Sequence, residues 1–137
     1  MKDNVRPLRG GDSEKLTINL GYVDLGRIDL LVQEGFYSNR SDFIRTAIRA
    51  QLGTHAAEVA RTVDRHMLEL GLREFSVADL EAARAAGETL HVKVVGLARI
   101  APEVTPELAR ATIASLTVLG ALQASPAVKA ALADRIG

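Results

Sequence analysis

The stretch Lys15-Leu16-Thr17-Ile18-Asn19-Leu20 decides how this chain is read. Polar and apolar residues alternate with period two, the pattern of a short half-buried β-strand. Leu16, Ile18 and Leu20 fall on one face, and Lys15, Thr17 and Asn19 on the other. Gly21 breaks the pattern. A helical pattern follows, with Leu25, Ile28, Leu31 and Val32 at three- and four-residue spacing and Gly35 as its C′ residue. After Phe36-Tyr37, Ser38 is placed to cap a second helix whose apolar stripe is Phe43, Ile44, Ala47, Ile48 and Leu52. Arg45 and Arg49 fall off that stripe.

A lone strand cannot satisfy its backbone N–H and C=O groups, and so small a unit cannot bury enough apolar surface. Two copies solve both problems. Their strands pair antiparallel into a two-stranded ribbon whose apolar face is covered by four helices. The other face presents Lys15, Thr17 and Asn19 from each chain. Such a ribbon fits the major groove of B-DNA, where ammonium, hydroxyl and amide groups can read base edges. At Ser38-Asn39-Arg40-Ser41 the second helix begins, and its free N–H groups and partial positive charge suit a phosphate.

Lys15-Leu16-Thr17-Ile18-Asn19-Leu20, taken with Phe36-Tyr37-Ser38-Asn39-Arg40-Ser41-Asp42-Phe43-Ile44-Arg45, resembles the CopG-type ribbon-helix-helix regulators. The likeness covers roughly residues 14–52. It implies that Lys15, Thr17 and Asn19 contact bases and that Ser38, Asn39 and Arg40 sit at the phosphate anchor. Gly21 stands where the family often has Pro, and Asn19 where many members carry a cation. Plainer roles exist for the same residues. The strand triad can be a solvated face, Ser38 a helix cap alone, and Arg40 the partner of a carboxylate such as Asp42 or Glu34.

The rest of the chain changes character. Residues 1–14 read as a flexible arm, with Pro7, Gly10-Gly11 and the basic Arg6 and Arg9. A third helix is expected over residues 54–70, with Val59, Val63 and Met67 on one face and Gly71 ending it. Ser76 and Asp79 form a weak capping box for a fourth helix that stops before Gly87. Beyond Leu90 an internal repeat runs at an offset of 24 residues: Val94 matches Val118, Gly96 Gly120, Pro102 Pro126, Val104 Val128, Leu108 Leu132 and Ala109 Ala133. Each copy reads as a strand, a glycine turn, a second extended piece, a Pro-marked boundary and a helix. Thr105-Pro106 and Ser125-Pro126 look like N-caps followed by Pro at the first helical position.

Composition narrows the function. In 137 residues, 17 Lys+Arg balance 17 Asp+Glu, and Cys is absent. Thiolate metal sites, a cysteine nucleophile and disulfides are therefore excluded. A neutral chain is not a polycation coating nucleic acid. Residues 1–53 hold 8 basic and 7 acidic residues, so any DNA contact rests on a few placed side chains. His55, His66 and His91 fit no ligand spacing, and no phosphate-binding loop occurs. Neither an enzyme, a cofactor nor a metal is expected. No h-region or run of about 18 apolar residues occurs, so a cytoplasmic protein without a membrane partner is expected.

The expected fold is α+β, with an arm (1–14), a ribbon-helix-helix domain (15–53), a helical connector (54–87) and a C-terminal strand-helix repeat module (88–137). The expected function is sequence-specific binding of double-stranded DNA by a homodimeric transcriptional regulator, a repressor or autoregulator. The C-terminal half is expected to join dimers into a higher homo-oligomer, with a small-effector pocket as the competing account. The alternative from another class is an antitoxin-like module whose C-terminal half binds a partner protein.

Overall fold

The computed structural model describes residues 13–137, which form two compact units, residues 13–62 and 63–137. The expected arm, apart from its last two residues, lies outside the described residues.

The N-terminal unit is helical: α1 (Tyr22–Gln33), α2 (Arg40–Thr54) and the start of α3 (Ala56–Arg65). α1 closes as its sequence implies. Gly35, at φ +87°, donates its N–H to the Val32 carbonyl (3.1 Å), and Phe36 donates to Leu31 (3.0 Å). This is a Schellman closure, in which glycine takes the left-handed backbone without steric cost. The cap of α2 falls one residue later than expected, on Asn39 rather than Ser38. Asn39 Oδ1 accepts from the Asp42 N–H (2.8 Å), while the Asp42 carboxylate accepts from the Ser38 N–H (2.9 Å). Asn39 is thus the N-cap, and the Asp42 carboxylate holds the backbone N–H of the residue before it.

Residues 15–20 carry no strand in the single chain. A strand exists through its ladder, and no described residue supplies one to this segment.

The C-terminal unit alternates strands and helices: β1 (Glu69–Phe75), α4 (Val77–Ala85), β2 (Leu90–Ile100), α5 (Pro106–Thr112), β3 (Ile113–Gln123), α6 (Pro126–Ala131) and a 3-10 turn (Ala133–Arg135). The strands form one parallel sheet in the order β1-β2-β3. Parallel neighbours need a crossover between them, which α4 and α5 provide. Leu80, Leu108 and Val128 from the three helices join Phe75, Val92, Val94, Ile100, Ile113, Leu116 and Leu132 in one buried cluster. Ser76, Thr105 and Ser125 cap the helices by accepting N–H bonds from Asp79, Leu108 and Val128, and Pro opens α5 and α6.

Two expectations are corrected here. Residues 54–87 are not a continuous helical connector, because α3 stops at Arg65 and β1 runs straight through Gly71. The stop is a second Schellman closure: Met67 donates to Asp64 (3.2 Å) and Leu68 to Val63 (2.9 Å). Met67 holds the C′ position at φ +55°, a backbone that a side chain rarely adopts. The glycines beyond Leu90 also differ from expectation, since each lies inside a single 11-residue strand rather than in a turn between two pieces.

Gly71, Gly96 and Gly120 face one another across the sheet, at φ +129°, +135° and +121°. A Cβ on Gly96 would run into the Gly71 carbonyl oxygen, and one on Gly120 into that of Gly96. Only glycine fits these two positions. Val94 likewise faces Val118, so residues 24 apart in sequence lie side by side. The chain's last residues meet the outer edge of β3 at one point. Ile136 bridges Leu116, and the Gly137 N–H donates to the Leu116 carbonyl at 2.7 Å.

Candidate nucleic-acid interface

The N-terminal unit leaves its apolar side chains uncovered. Among its residues only Ile28 is buried, whereas Leu16 and Ile18 are 79 % and 62 % exposed. Ile18 and Leu20 border an open groove of about 460 Å³, with Ile28 and Leu31 of α1 and Phe43, Ile44, Ala47 and Ile48 of α2 along its walls. Contiguous exposed apolar surface of this kind marks an interaction site. The two helices themselves are held in place. Tyr37 and Phe43 meet edge-on at 5.0 Å, and Arg40 forks onto Asp29 through two bonds of 2.8 Å.

Lys15, Thr17 and Asn19 are all exposed, at alternate positions of the same segment. Among the described residues no backbone neighbour pairs with them, so they come together only as successive alternate residues. Ser38, Asn39 and Arg40 do come together at the start of α2. Their arrangement is more committed than a free anion site. The Asn39 side chain already holds one first-turn N–H, and the Asp42 carboxylate sits at the helix end. The first-turn N–H groups of Arg40 and Ser41 have no intrahelical acceptor, as in any helix, and point towards the solvent end.

Asp29 is the residue that sequence reading missed. It reads as part of the wet face of α1, and Arg40 as the partner of Asp42 or Glu34, yet the two meet across 11 positions. The Arg40 guanidinium holds the Asp29 carboxyl below its ordinary 3.8, and Asp29 in turn raises Arg40. Both side chains are about half exposed, so water screens the pair and its contribution is small.

Elsewhere chemistry is sparse. Among the described residues no group of three or more His, Asp or Glu is placed to hold a metal. No helix among them is long and apolar enough to cross a membrane.

A segment of alternating residues, a glycine-closed helix and an Asn-capped second helix surround an uncovered groove. Such an arrangement suits a class of regulator in which two chains together bind DNA. The chain belongs to the Ribbon-Helix-Helix transcriptional regulator family, whose sequence profile matches residues 11–129. Membership implies DNA binding, regulation of transcription and dimerisation, and the family is one of regulators rather than catalysts. No curated protein and no solved structure matches the chain.

Proposed function

We propose that the protein is a sequence-specific DNA-binding repressor or autoregulator of CopG type, acting in the cytoplasm on double-stranded DNA. Residues 15–20 of two copies pair as an antiparallel ribbon, and Lys15, Thr17 and Asn19 of each copy enter the major groove. The observation that carries this reading is the uncovered groove beside Ile18 and Leu20. Pairing the two segments satisfies their backbones and lays both apolar edges over helices. Ser38, Asn39 and Arg40 hold a phosphate at the start of α2 through the Arg40 and Ser41 N–H groups, with Arg40 exchanging Asp29 for the phosphate.

The C-terminal unit serves as a repeat module for assembly that joins ribbon dimers. Its continuous core supports docking through a folded surface over the antitoxin-like alternative, in which an arm orders on binding. Selection of bound sequences from random DNA tests the reading. The full chain is expected to enrich one motif, and Thr17→Ala/Asn19→Ala to lose its base preference. Equal affinity of the wild type for selected and random DNA would overturn it.

A further inference from the structure

We propose that the free edge of β1 is a self-complementary seam, and that β1 of a second copy pairs with it antiparallel to make a continuous six-stranded sheet. This rests on the assembly reading of the C-terminal unit and names its contact.

Among the described residues no strand pairs with the outer edge of β1, while on the far edge of the sheet Ile136 and Gly137 bridge β3 at Leu116. Natural edge strands are usually blunted by charged side chains, above all Lys, by Pro or by a cover. The sequence Glu69-Leu70-Gly71-Leu72-Arg73 has neither Lys nor Pro, and its two charges are of opposite sign. It has instead the symmetry that an isologous contact needs, in which one patch meets itself. Centred on Gly71, an antiparallel pairing sets Glu69 opposite Arg73 of the second copy, and Leu70 opposite Leu72, on both sides of the two-fold axis. Opposite charges and apolar pairs placed directly across a ladder are favourable.

The side chains at this edge are ready for such a contact. Leu70 and Leu72 are 65 % and 60 % exposed, although their register neighbours Val95 and Leu97 on β2 are half-buried. Arg73 stacks its guanidinium on the Phe75 ring at 4.5 Å and lies 3.7 Å from Glu69, a separation too long for a hydrogen bond. Around the position of a Gly71 Cβ nothing lies within 4 Å, so a second backbone can come close there. Because the contact is isologous and uses each β1 edge once, this pairing stops at two units.

Mass measurement on the full chain tests the seam separately from the ribbon. Glu69→Arg alone is expected to remain a dimer through the ribbon, and Ile18→Asp alone a dimer through the seam. The variants Ile18→Asp/Glu69→Arg and Ile18→Asp/Arg73→Glu are each expected to be monomeric, since each sets like charges across the two-fold axis. Mixed together they are expected to pair again, because every facing charge is then opposite. That rescue cannot come from the contact within one chain, which stays repulsive in both variants. An Ile18→Asp chain that is already monomeric, or a mixture that stays monomeric, would overturn the seam. A monomeric Glu69→Arg chain would instead overturn the ribbon.

Discussion

In residues 13–62 Leu16, Ile18, Leu30, Ile48 and Leu52 are exposed and Ile28 alone is buried; in residues 63–137 Leu80, Ile113, Leu116 and Leu132 are sealed completely. Both regions are rich in aliphatic residues, so composition does not explain the contrast. Topology does. The C-terminal unit builds a continuous buried core from its own strands and helices. The N-terminal unit has one alternating segment and no second one to pair with it. In the proposed reading it is a half-structure whose missing half is another copy, and its recognition surface forms when that copy is present.

The contrast can be broken most strongly in the core. Leu116→Ala is expected to cost about 2–5 kcal/mol of C-terminal stability, read by denaturant unfolding at matched protein concentration. A cost below about 1 kcal/mol would mean that this core is not close-packed. On the recognition side, Thr17→Ala and Asn19→Ala are each expected to remove about 1–3 kcal/mol of base discrimination while leaving the fold intact. Gel shifts on cognate and random DNA separate this from unfolding, which would weaken both equally. Arg40→Ala is expected to weaken binding to all sequences and to reduce the salt slope by about one. If Arg40 serves only Asp29, that slope stays unchanged.

Smaller effects sharpen the comparison. Asn39→Ala is expected to cost about 1 kcal/mol in the N-terminal unit, and Ser38→Ala less, because the Ser38 hydroxyl makes no part of the cap. Thermal unfolding of the two variants ranks them, and the opposite order would return the cap to Ser38. Acid has the mildest effect. Asp29 is held below its ordinary 3.8 by Arg40, and Asp134 by Arg110. Folding thus keeps each ionised, and the contribution is present above about pH 3.8 and lost as pH falls through the lowered value. Each unit is expected to lose one such pair on acidification, while only the C-terminal unit keeps a buried core beneath it. Circular dichroism from pH 5 downward should show the N-terminal helices fading first.

The sequence made some features legible because local chemistry alone specifies them. Gly35 ends α1, Ser76 with Asp79 starts α4, and Pro106 and Pro126 open the last two helices. Other features depend on what lies far along the chain. β1 was hidden because Gly71 reads as a helix stop, and only its ladder partner Gly96 shows it to be the interior of a strand. The end of α3 gave no glycine signal, since Met67 occupies the left-handed position. Within the candidate site, the alternation of residues 15–20 sets which side chains would share a face once the segment is paired. The fork between Arg40 and Asp29 was illegible, because nothing local distinguishes Asp29 from its acidic neighbours on α1.

Amide hydrogen exchange across residues 15–20 of the full chain tests the central claim most directly. At concentrations where the chain is dimeric, alternate amides of Leu16 to Leu20 are expected to exchange slowly, and to lose that protection on dilution or with Ile18→Asp. Exchange at open-chain rates under all these conditions would contradict the account.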